Sequence, residues 1–106
     1  MTGRERHRLP QRRPSTNFDI ESQGLRFTVT STIINGELRE IFITNHRAGS
    51  GAGIMASDAA VVTSIALQYG VPVEVIRKAL MRDAQGRASG PLGAALDTVA
   101  AERGRA

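Results

Sequence analysis

A chain of 106 residues with no cysteine has room for one domain and cannot form a disulfide or a thiolate–metal bond. Its net charge of +4 is local: residues 1–14 carry five arginines against one glutamate, and the remainder balances nine bases with nine acids. No apolar run is expected to reach the roughly 18–20 residues of a membrane span, and no apolar stretch follows the N-terminal charges as in a secretory signal, so a cytosolic, disulfide-independent domain is expected.

Residues 1–14 hold Arg4, Arg6, Arg8, Arg12 and Arg13 and end between Pro10 and Pro14. With no apolar period they read as a disordered basic tail preceding a domain at 15–103. Such a tail either solvates the N-terminus or touches nucleic acid or an acidic partner.

Thr16, Phe18 and Ile20 then alternate with Asn17, Asp19 and Glu21, the period of a half-buried strand. Ser22-Gln23-Gly24 makes a turn. Leu25 to Ile33 is the clearest strand, with Phe27 and Val29 on one face and Arg26, Thr28, Thr30 and Thr32 on the other. Asn35-Gly36 tolerates the positive φ of a two-residue hairpin. Leu38 to Thr44 completes an antiparallel meander. The period then changes. Ser57 is expected to cap a helix whose stripe is Val62, Ile65, Ala66 and Tyr69, ending at Gly70. Pro72 opens a shorter helix with Ile76, Ala79 and Leu80 on its apolar face and a Glu74/Lys78 pair. Pro91 opens a last helix through Leu92, Ala95, Leu96 and Val99. Strands first and helices afterwards imply an α+β fold: a three-stranded antiparallel meander followed by three helices packed on one face. Phe27, Val29, Phe42, Ile65 and Leu96 are the expected core.

Two loops precede helices and combine glycine, serine and arginine: Asn45 to Gly53, and Gln85 to Pro91. Unpaired N–H groups at helix starts bind anions, and a guanidinium adds charge-assisted bonds. The expected phosphate or nucleotide site is therefore Arg47, Gly49, Ser50 and Gly51 with Arg87, Ser89 and Gly90. The opposing reading is that the glycines shape turns and Ser89 or Gly90 merely caps a helix. Neither a P-loop nor a dinucleotide fingerprint is present. His46, with Ser50 and Asp58 near it in sequence, lacks the context of a catalytic triad, so no catalytic residue is assigned. Two histidines without cysteine do not make an ordinary zinc site, so no metal or cofactor is expected.

Three segments, Gly36 to Ile43, Ser64 to Pro72 and Gly86 to Pro91, resemble the TSCPD domain in order and spacing. That domain occurs near the C-terminus of adenosylcobalamin-dependent ribonucleotide reductases and as short stand-alone proteins. The stretch Ser64-Ile65-Ala66-Leu67-Gln68-Tyr69-Gly70-Val71-Pro72 is the most specific part, since helix packing does not require Gln68. The family's eponymous cysteine is replaced here by Gly90, and the cysteine that reductase versions carry in the first loop by Gly51. The resemblance implies a reductase-associated module without the reductase's own chemistry, with a reductase subunit as partner and deoxyribonucleotide synthesis as context. Nucleotide or nucleic acid binding, a purely structural or interaction role, and self-association into a homo-oligomer remain open.

Overall fold

The computed structural model describes residues 5–6, 8–11, 14–47 and 49–104. Three strands, β1 (Ser15–Ser22), β2 (Leu25–Ile34) and β3 (Glu37–Asn45), pair antiparallel in the order β1-β2-β3. Three helices follow: α1 (Gly51–Gln68), α2 (Val73–Ala79) and α3 (Pro91–Gly104). This is the expected α+β meander with helices after it. Both hairpins close on two residues with positive φ, Gln23 (54°) with Gly24 (77°) and Asn35 (53°) with Gly36 (78°). That twist matches the twist of the flanking strands.

Period two sorts the sheet up to a register shift at Thr32/Ile33, where Thr32, expected on the outer face, is buried and Leu38 joins Ile41 on the inner side. Phe27, Val29, Leu38, Ile41 and Ile43 are buried and meet Ala56, Ala60 and Leu67 of α1 and Ala95, Leu96 and Val99 of α3. α1 lies along β3, while α3 packs towards β1. Phe42 falls between Ile41 and Ile43, so the alternation turns it to the open face, where it is 40% exposed instead of in the expected core.

The helix starts and faces bring further corrections. The cap of α1 lies seven residues before Ser57: Ser50 is its N-cap, its side chain accepting from the Gly53 N–H at 3.0 Å. The buried face of α1 is Ala56, Ala60, Thr63, Ser64, Leu67 and Gln68. Val62, Ile65 and Tyr69, expected inside, are exposed. The reason is the position of α1 beside an edge strand. Small residues let the helix approach closely, and its polar side chains satisfy strand groups that β2 does not reach. Ser64 Oγ accepts from the Ile41 N–H and donates to the Ile41 carbonyl, both at 2.8 Å. Ser57 Oγ donates to the Ile43 carbonyl at 2.7 Å, and Gln68 Nε2 to the Arg39 carbonyl at 3.2 Å. Branched apolar residues could do none of this. The helix thus covers an edge that would otherwise invite pairing with another strand.

α1 also departs from the expectation that no segment reaches spanning length. It is one helix, 18 residues at mean hydropathy 1.2, long and apolar enough to cross a membrane. Here its polar stripe is bonded to β3.

Glu74 pairs with Arg77 at 2.8 Å, not with Lys78. Arg77 also reaches Asp97 of α3, which holds Arg82 through two bonds of 2.7 and 2.8 Å. This triad ties α2 and the following loop to α3. The Asp97 carboxyl lies below the usual aspartate range, chiefly through the Arg82 hydrogen bond, against the cost of burial. A depressed acid contributes stability that is complete above the unfolded value of about 3.9 and is lost as pH falls through the folded one. Asp97→Asn should therefore flatten the acid limb of a melting-temperature profile. Some slope should persist, because Asp83, bonded by the Arg87 backbone, is also depressed. An unchanged acid limb would show that the triad contributes nothing.

In the N-terminal segment, Arg4, His7, Arg12 and Arg13 lie outside the described residues, so the tail expectation falls largely there. Arg6 is described: its Nε donates to Gln68 Oε1 at 2.6 Å. Gln68 thus spans from Arg6 to β3, which gives this side chain the purpose that packing alone did not.

Candidate functional site

The loop from β3 to α1 is organised by Asn45. Its Oδ1 accepts from the Arg47 N–H at 2.8 Å, and its Nδ2 donates to the Arg26 carbonyl at 3.1 Å. Gly49 has φ of 74°, which favours glycine. Ala48 lies outside the described residues. A Cβ built on Gly53 would sit 2.8 Å from Ser50 Oγ and 2.9 Å from Asn45 Cβ, whereas one on Gly51 meets nothing within 4 Å. Gly53→Ala should therefore cost about 1–3 kcal/mol by crowding the cap, while Gly51→Ala should be neutral or stabilise by about 0.4–1 kcal/mol. Denaturant melts of the two variants check this, and equal effects would refute it.

The loop before α3 is organised by Asp83. Its carboxylate accepts from the N–H groups of Gln85 and Arg87, both at 2.9 Å, and pairs with Arg87 Nε at 3.1 Å. The Ser89 N–H donates to the Met81 carbonyl, and the Ser89 carbonyl accepts from Gln23 Nε2 at 3.0 Å. The Gly90 carbonyl accepts from the Ala94 N–H in the first turn of α3.

The start of α1 and the start of α3 open on one cleft of about 400 Å³, lined by Phe27, Ala52, Met55, Leu80, Gly90 and Pro91 among others. Its walls are mainly apolar, and sequence reasoning missed it because its lining comes from four separate segments. Of the expected site residues, Gly90 lines this cleft. Arg47 and Gly49 instead line a neighbouring groove with Asn45, Gly53, Ile54 and Asp58. Arg87 is engaged with Asp83, and the Ser50 hydroxyl is used as a cap. The guanidinium of Arg47 has no hydrogen-bond or ion-pair partner among the described residues.

His46 Nε2 lies 3.3 Å from Thr28 Oγ1, which donates to Asp19 Oδ1 at 2.9 Å. The histidine thus meets the exposed sheet face and not Ser50 or Asp58. Among the described residues no three His, Cys, Asp or Glu side chains gather as a metal-binding group.

The fold and this cleft define a two-layer α+β module with an apolar cleft flanked by two helix starts. Residues 2–100 match the TSCPD domain family, and the chain belongs to it. The match takes in nearly all of the arginine-rich segment. The chain is also similar to the vitamin B12-dependent ribonucleotide reductase of Agrobacterium fabrum, at 36% identity over 72 residues. That alignment covers 67% of this chain and 6% of the relative, so the chain corresponds to a small part of that protein. No solved structure matches.

Proposed function

We propose that this protein is an accessory or interaction module of B12-dependent ribonucleotide reduction, working alongside a reductase subunit and not as a reductase itself. The observation that carries this is the 36% identity to a segment of such a reductase, within a chain that matches the TSCPD family over residues 2–100. The finer reading is that it binds a nucleotide or nucleic-acid phosphate through Arg47, Gly49, Ser50 and Gly51, with Arg87, Ser89 and Gly90 at the second helix start. Two features favour it: the guanidinium of Arg47, without a partner among the described residues, beside the start of an 18-residue helix, and a neighbouring cleft large enough for a base or sugar. The second reading, a scaffold without a ligand, is favoured by the Asp83–Arg87 pair and by the use of Ser50 as a cap.

Capture of a purified B12-dependent reductase chain by the full-length protein tests the association, and absence of capture at high micromolar concentration would refute it. Calorimetric titration with nucleoside triphosphates and short DNA tests the ligand. Binding should weaken by about 1–3 kcal/mol in Arg47→Ala and fall with added salt. No heat at millimolar ligand would leave the scaffold reading.

A further inference from the structure

The outer face of α1 is apolar along the helix. Ile54 and Val62 are 53% and 67% exposed, and Val61 and Ile65 lie on the same side. At about 100° per residue these positions span an arc of about 100°. Exposed apolar stripes of this kind mark contact surfaces. Two polar groups stand within the arc, the carboxylate of Asp58 and the hydroxyl of Tyr69. One is an acceptor and the other a donor. Neither side chain has a hydrogen-bond or ion-pair partner among the described residues, although Arg47 lines the same groove as Asp58.

We propose that this face pairs with the same face of a second copy, α1 against α1, antiparallel about a two-fold axis at Val61 and Val62. The proposal goes beyond the reductase reading and does not depend on it. In that register Val61 of one protomer faces Val62 of its partner, and Asp58 faces the level of Ile65. Tyr69 lies one turn beyond Ile65, about 6 Å along the axis. Side chains on a helix lean towards its N-terminus, so the phenol of Tyr69 reaches back to the level of Asp58 in the other chain. Two-fold symmetry makes this bond twice and leaves the apolar residues to cover one another. The face is therefore complementary to itself: the donor and acceptor that are idle in one protomer are paired by the same rotation that buries the stripe. Extension of the sheet through β3 is not the route, because Ser57, Ser64 and Gln68 already occupy that edge.

Sedimentation equilibrium of the full chain over a wide concentration range tests this. The weight-average mass should rise from the 11.4 kDa of one chain towards that of two. Val62→Glu should hold it at one chain with an unchanged circular dichroism spectrum. Asp58→Ala and Tyr69→Phe should each raise the dimer dissociation constant about tenfold, and together little further, because they remove the same bond. The chain has one tyrosine and no tryptophan, so quenching of tyrosine emission on association reads the contact directly. A single-chain mass at every concentration, a dimer indifferent to Val62→Glu, or additive effects of the two polar variants would each overturn the proposal.

Discussion

Leu96→Ala should lower the free energy of unfolding by about 2–5 kcal/mol. Leu96 is fully buried in α3, within the cluster that joins Phe27, Val29 and Ile41 of the sheet to Ala60 and Leu67 of α1. Truncation removes three buried carbons and leaves a void between the layers. The neighbours cannot readily close it, since much of the facing helix surface is already alanine and has no longer side chain to swing inward. A chain of this size is only marginally stable, so the loss should bring a large fall in the denaturant midpoint. Urea melts with an unchanged slope measure it. A change within about 0.5 kcal/mol would mean that α3 does not seal the core.

The second large effect is expected at Ser64. Its hydroxyl is buried and serves both backbone groups of Ile41, each at 2.8 Å. Ser64→Val keeps the bulk apolar and leaves a strand N–H and a strand carbonyl without partners under a helix that excludes water. One stranded group costs about 1–3 kcal/mol, and the two together should cost about 2–4 kcal/mol. Thr63→Val is the control. Thr63 Oγ1 bonds the Ala59 carbonyl within its own helix at 2.8 Å, and that carbonyl keeps its helical bond when the hydroxyl is lost. Thr63→Val should therefore cost under about 1 kcal/mol. Hydrogen exchange separates a local from a global effect: the Ile41 amide should lose protection in Ser64→Val beyond what the overall loss of stability explains. Equal costs for the two variants would show that the edge bonds are not what attaches α1 to the sheet.

These two residues mark a division in what could be read from the chain. Leu96 belongs to a plain stripe, Leu92, Ala95, Leu96 and Val99, and one side of α3 is apolar, so period alone identified its buried face. The hairpins were equally legible: Asn35-Gly36 is a turn pair by backbone preference, and Gly24 stands between two alternating segments. In α1 apolar residues occur on both sides, and the stripe of larger ones looks like the core. The opposite side, with Ala56, Ala60 and Ser64, is the one that packs.

A signal was present. Ser57, Ser64 and Gln68 recur at seven and four residues, the spacing of one helical face. Reading it required knowing that α1 would lie beside an edge strand with unpaired backbone groups, and that is a property of the assembled sheet. The candidate site divides in the same way. The glycine and arginine loops at the starts of α1 and α3 were recognisable by type. Only the folded chain decided that Arg87 turns to Asp83, that Ser50 is used as a cap, and that the two helix starts share an apolar cleft. Local preference set by neighbouring residues determined the strands, the turns and α3. Contacts between segments distant in sequence decided which face of α1 is buried, because both faces could bury apolar surface and only one could also satisfy the backbone of β3.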